Sequence, residues 1–264
     1  MRKVKKLIGM VFGLSLMMLV GCSGQGTAKA DIPTELTLSV AASLTDCMAT
    51  LEEAFKEQYP NITLKMNFGA SGALQQQIEQ GAPVDLFISA GTKQVNALEE
   101  AGLLEAGTNE NLLRNRLVLI TPQNGEILTF KGLGEGTFSK LAVGEFESVP
   151  VGQYTKEVLD TLEIYDEVEE KLVFAKDVRE VLSWVESGNA DAGVVYETDA
   201  MISDKVVISD VADESWHKPV MYAMGIIKNT THLEETKLFT EFLGTEEARE
   251  IFASYGFTPA EKAE

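Results

Sequence analysis

From residue 36 onward, runs of alternating or β-branched apolar residues take turns with stretches in which apolar residues return every three or four positions. Leu36-Thr37-Leu38-Ser39-Val40 has the two-residue period of a half-buried strand, and Leu44, Met48, Leu51 and Phe55 then keep the spacing of one helix face. Thr63 to Phe68 repeats the plan, running into Leu74, Ile78 and a closing Gly81. Further strands are predicted at Leu86 to Ser89, Leu117 to Thr121, Leu141 to Val143, Leu172 to Phe174, Gly193 to Tyr196, Val206 to Ile208 and Val220 to Ile227. The last helices fall around Leu233 to Leu243 and Glu246 to Tyr255. This alternation predicts an α/β chain built on mainly parallel sheets flanked by helices.

Two of the runs, Leu117 to Thr121 and Val220 to Ile227, are apolar and bracket a block of about a hundred residues. They read as ordinary core strands. The chain after the leader is long enough for two modest α/β domains or one large one.

The first residues read as a leader. Arg2, Lys3, Lys5 and Lys6 form a positive start, and Leu7 to Val20 is an uncharged, mostly apolar stretch of 14 residues. That is shorter than the roughly 20 residues a spanning helix needs, so residues 1–21 are expected to be a signal peptide. Leu19-Val20-Gly21-Cys22 resembles the lipobox of bacterial lipoproteins, in which Cys22 becomes the lipidated first residue; the alternative is a signal peptide cut near Ala28-Lys29-Ala30. Residues 22–34 are small and polar, suited to a tether. Lipidation of Cys22 leaves Cys47 without a disulfide partner, as a semi-buried inert thiol.

Charge then narrows the function. The formal net charge is −19, and four of the 22 basic residues lie in the leader, leaving 18 against 41 acidic. Such a body lacks the basic footprint that nucleic acid requires. It does not exclude an anionic ligand, because surface charge is screened within about 8 Å at physiological salt while helix ends act at contact distance. The two histidines, His217 and His232, are far apart, and no C-x-x-C or H-x-x-x-H spacing occurs, so no metal site and no cofactor is expected.

Candidate chemistry concentrates where strands hand over to helices. Ala41-Ala42-Ser43-Leu44-Thr45-Asp46 and Phe68-Gly69-Ala70-Ser71-Gly72 each place a hydroxyl at a helix entrance, where unpaired N–H groups and the positive end of the macrodipole suit an oxyanion. Ser43 with Asp46 also reads as a capping box and Ser71 as an N-cap; a capping hydroxyl accepts from the helix and still has its own O–H to donate. Asp177 with Glu180 reads as a second capping box, which leaves the N–H of Val178 unused. Pro150 fixes the chain before a further helix, with the N–H of Val151 pointing outward. Tyr196 ends a β run, where its phenol is a further candidate donor. Gly69-Ala70-Ser71-Gly72-Ala73 approaches the G-x-S-x-G nucleophile elbow but has Ala73 where the second glycine belongs, so a serine hydrolase is the weaker reading.

The runs Ala-Ala-Ser-Leu-Thr-Asp at 41–46 and Phe68 to Ala90, with Val149 to Glu157, Ala175 to Arg179, Ala192 to Tyr196 and Ile251 to Phe257, resemble the molybdate-binding proteins that serve ABC transporters. The resemblance covers nearly all of the chain after the leader and implies a two-lobed periplasmic-binding-protein type II fold, in which the two apolar runs are instead crossing strands that join the lobes. On it, residues 35–118 with 225–264 form one lobe and 119–224 the other. It implies an oxyanion, molybdate and also tungstate, held by the hydroxyls of Ser43, Ser71 and Tyr196 and by the N–H groups of Ser43, Ser71, Val151 and Val178. It implies delivery to an ABC permease by hinge closure, with no bond made or broken, by a monomer held to the membrane through its lipid. The alternative is a receptor for another tetrahedral oxyanion, such as tungstate only or sulfate. The chain departs from that family at Val151 and Cys47, where alanine is commoner, and at Gly144-Glu145-Phe146, where Gly-Asp-Pro is commoner.

Overall fold

The computed structural model describes residues 33–260; the leader and Cys22 lie outside them. The chain opens with β1 (Thr34–Ala41), a 3-10 turn (Ala42–Leu44), α1 (Thr45–Gln58), β2 (Ile62–Gly69), α2 (Ser71–Glu79), β3 (Leu86–Ser89), α3 (Thr92–Glu100) and β4 (Glu110–Arg114). It continues through β5 (Leu117–Pro122), β6 (Leu141–Gly144), α4 (Pro150–Thr161), α5 (Tyr165–Val168), β7 (Leu172–Ala175), α6 (Val178–Glu186), β8 (Ala192–Tyr196), α7 (Glu197–Met201) and β9 (Val206–Val211). It closes with β10 (Met221–Ile226), α8 (Leu233–Leu243), α9 (Glu246–Ser254) and β11 (Thr258–Pro259).

These strands form two sheets, of order β11-β4-β10-β3-β1-β2 and β7-β6-β8-β5-β9. Both are mixed, which corrects the expectation of mainly parallel sheets. β1 runs parallel to β2 and β3, and β6 parallel to β7 and β8. The remaining pairs, β3-β10-β4-β11 and β8-β5-β9, are antiparallel. The cause is the chain's double passage between the sheets. β5 enters the second sheet and β10 re-enters the first from the opposite direction, without the crossover helix that parallel pairing needs.

β5 belongs wholly to the second sheet and β10 wholly to the first. Neither apolar run is itself a connection; the passages are residues 115–116 and 212–220. At the first passage Arg116 pairs with Glu197 at the start of α7.

The periodic helix faces lie where their spacing puts them. Cys47, Met48, Leu51 and Phe55 of α1 are buried. The Phe55 ring meets Phe239 edge-on at 4.9 Å and Phe242 at 5.4 Å, which fastens α8 to the first sheet's flank although it follows the second sheet in sequence. In the second lobe α6 buries Val181, Leu182 and Val185. Asp85 ties the first lobe's connections, accepting from the N–H of Thr37 at 2.7 Å and the hydroxyl of Thr230 at 2.5 Å.

Phe55 is wholly buried, so Phe55→Ala leaves a cavity under three rings. It is expected to lower the stability of the folded body by about 3 to 5 kcal/mol in urea unfolding. A loss below about 1 kcal/mol would contradict this account of how the last helices dock.

Candidate functional site

Four helical starts face one another across the gap between the sheets: the 3-10 turn before α1 and the first turn of α2 from one lobe, and the first turns of α4 and α6 from the other. A helix leaves its first N–H groups without intrahelical acceptors. Ser43, Ser71, Val151 and Val178 hold such positions, and none of their N–H groups donates to another segment. All four residues and Tyr196 are buried and line a single pocket.

The local reasons differ from one start to the next. Ser43 does not cap α1: a 3-10 turn comes first, the cap position is Leu44, and no side chain caps it. Its Oγ instead lies 2.8 Å from the phenol oxygen of Tyr222. Ser71 does not cap α2 either, because it is the first helical residue and Ala70 stands at the cap. From there its Oγ accepts from the N–H of Ala90 at 3.0 Å.

Pro150 opens α4, as the sequence predicts. Asp177 caps α6, its Oδ1 accepting from the N–H of Glu180 at 2.9 Å, while the Glu180 carboxylate accepts from Lys176 N–H at 2.8 Å. Asp177 is the one acid in the pocket lining, and the cap occupies that oxygen. The Tyr196 hydroxyl donates a long bond, 3.4 Å, to the carbonyl of Ala90, and burial raises its pKa well above the ordinary phenol value.

Several bonds join the lobes around this pocket. Gly72 N–H donates to the carbonyl of Ser148 at 2.9 Å, and the approach is so close that a Cβ at Gly72 would stand 2.4 Å from that oxygen. Arg179 of α6 reaches across to α1, its Nη2 donating to Asp46 at 2.7 Å and to the carbonyl of Ser43 at 3.2 Å. Its Nε lies 2.8 Å from Oδ1 of Asp199, off hydrogen-bond alignment. Burial pushes the Asp199 carboxyl up to about 7, against the opposing pull of Arg179. Burial likewise raises the Cys47 thiol to about 12, leaving it protonated beside the carbonyl of Leu44.

Gly72, Arg179, Ala90 and Tyr222 escaped the sequence reading. A glycine after a serine and an arginine after a valine carry no mark of what they meet on another lobe. The Ala90 peptide and Tyr222 come from segments with no polar motif.

The sequence pattern of the bacterial extracellular solute-binding proteins matches residues 36–258. An ABC transporter substrate-binding lipoprotein of Bacillus subtilis, so named, is 43% identical over 92% of this chain and 94% of its own length. The molybdate-binding protein of Haemophilus influenzae is 34% identical over 85% of this chain and 90% of its own. Among solved structures, the substrate-binding domain of a Clostridium difficile protein ascribed to a molybdenum ABC transporter is 47% identical. It aligns over 86% of this chain and all of that one, with a TM-score of 0.69.

The chain belongs to the bacterial extracellular solute-binding proteins.

Members of this family bind solutes outside the cytoplasm and are not enzymes. The hydrolase reading also fails on geometry. Ser71 of this solute-binding protein shares its Oγ with a peptide N–H, while His217 Nδ1 meets the carbonyl of Lys218 and His232 Nδ1 lies 3.3 Å from Asp85. Neither histidine lines the pocket.

The Gly72 contact yields a steric prediction. Gly72→Ala leaves α2 intact but holds the lobes apart by the width of the new methyl group, so it is expected to weaken solute binding at least tenfold while the unbound protein melts within about 2 °C of wild type. Unchanged affinity in calorimetry would show that the lobes need not approach this closely.

Proposed function

We propose that this solute-binding protein captures molybdate, and tungstate with it, between its two lobes and hands the anion to an ABC permease. The observation that carries the reading is the donor set. Four unpaired N–H groups, two from each lobe, and the hydroxyls of Ser43, Ser71 and Tyr196 line one buried pocket. An oxyanion there satisfies N–H groups that are otherwise left without acceptors, and it does so from both sides at once. The closed arrangement is thereby stabilised over an open one, with residues 115–116 and 212–220 as hinge. The names of the Haemophilus and Clostridium relatives support molybdenum as the solute's metal. The body acts as a monomer.

The donor set also supports a selectivity. Phosphate near neutrality keeps a proton, and burying that O–H without an acceptor costs about 1 to 3 kcal/mol. Sulfate carries no proton but is smaller than molybdate, and its oxygens fall short of some donors in a preformed shell. Calorimetry at neutral pH is expected to give molybdate and tungstate similar affinities, sulfate distinctly less and phosphate least. Phosphate binding comparable to molybdate would sink the all-donor site; a preference for sulfate would overturn the ligand.

Ser43→Ala and Ser71→Ala each remove a hydroxyl donor to a charged oxygen, and each is expected to weaken molybdate binding by about ten- to a hundredfold. Ser71→Ala also strands the N–H of Ala90, so it is expected to lose about 1 kcal/mol or more of stability. Normal binding by both variants would place the site elsewhere.

The anchor belongs to the same reading. Leu19-Val20-Gly21-Cys22, together with the Bacillus relative's name as a lipoprotein, supports lipidation of Cys22 and attachment at the outer face of the membrane. Cys22→Ser is expected to release the protein from the membrane fraction with anion binding unchanged; equal retention of the variant would argue against the anchor.

A further inference from the structure

We infer that Tyr222 is a positioning residue that, by donating to Ser43 Oγ, holds the Ser43 hydroxyl so that its own proton is left for the pocket. The inference rests on the oxyanion reading above and extends it to a residue that does not line the pocket.

The argument is one of hydrogen-bond polarity. Asn115, in the first passage between the sheets, accepts from the N–H of Arg116 through Oδ1 at 2.8 Å, which fixes the orientation of its amide. Its Nδ2 then faces Thr198 Oγ1 at 2.9 Å and the Tyr222 oxygen at 3.4 Å, with a proton for each. The Tyr222 oxygen is thus an acceptor from Asn115, and its own proton needs an acceptor.

Tyr222 is completely buried, and burial keeps its phenol protonated far above neutral pH. Among the described residues the acceptor within reach is Ser43 Oγ, 2.8 Å away. The opposite assignment, with Ser43 donating, would leave a buried phenol proton unmatched, which proteins avoid. Ser43 keeps a second lone pair, but its own proton has no acceptor among the described residues, so a solute oxygen in the pocket is the group that can take it. The relay therefore runs from the Asn115 amide through the Tyr222 and Ser43 hydroxyls to the anion, one donor at each step.

Tyr222→Phe keeps the ring that packs against Tyr196 at 5.7 Å and Phe257 at 5.4 Å, and removes only the polarising hydroxyl. Ser43 Oγ is then no longer held from behind. Calorimetry should show molybdate affinity falling about three- to tenfold. In a Ser43→Ala background the same change should alter molybdate affinity by less than about twofold, because Tyr222 acts only through Ser43.

Asn115→Ala leaves the phenol and its bond to Ser43 in place but removes the donor behind it, and should weaken molybdate binding in the same direction by a smaller factor, again only when Ser43 is present; it carries the test if Tyr222→Phe does not fold. An unchanged molybdate affinity in Tyr222→Phe, or a Tyr222→Phe loss that persists in the Ser43→Ala background, overturns the inference. Wild-type protein that binds no molybdate would instead bring down the oxyanion reading itself.

Discussion

A helix cannot satisfy the N–H groups of its own first turn, and in this protein four helical starts bring such groups to one buried place. The rest of the structure follows from that arrangement. Each donor sits where a strand ends and a helix begins, so the sheets aim the helices and the helices aim their N–H groups. No lysine or arginine enters the pocket lining. On the oxyanion reading proposed above, a chain with a formal net charge of −19 builds its anion site without a cationic side chain, because the partial charges at helix starts act at contact distance while the surface acids are screened.

Two kinds of contact hold the lobes around that place. Peptide meets peptide at Gly72 and Ser148, where the absence of a side chain permits the approach. Charge meets charge where Arg179 spans from Asp199 in its own lobe to Asp46 in the other. The second contact also orders the first lobe's donor turn, since Arg179 holds the carbonyl of Ser43 while Tyr222 holds its hydroxyl. Of the pocket's donors, Ser43 is thus held from behind both within its own lobe and by a bond that forms part of the lobe contact.

Much of this was legible in the sequence. Strands with β-branched alternation and helices with a clean apolar face were readable because burial on one side writes itself into the spacing. β4 was not, since only Leu112 and Leu113 of its five residues are buried, and β11 is two residues long. The mixed pairing was hidden because strand direction depends on where a connection returns, which spacing does not encode. At the site, Ser43, Ser71, Val151, Val178 and Tyr196 were nameable from the turns that carry them and from family resemblance. The capping roles read for the two serines failed because one extra helical residue, or a 3-10 turn, moves a side chain off the cap position. Tyr222 and Arg179 lay beyond reach, being defined by partners 179 and 133 residues away.

The central claim is that one oxyanion bridges donors from both lobes. A crystal structure of the body grown with molybdate, with the metal located by its anomalous scattering, tests this most directly. The account predicts a single metal peak in the pocket, its oxygens within hydrogen-bond distance of the N–H groups of Ser43 and Ser71 on one side and Val151 and Val178 on the other. A peak elsewhere, or one contacted by a single lobe, would contradict it.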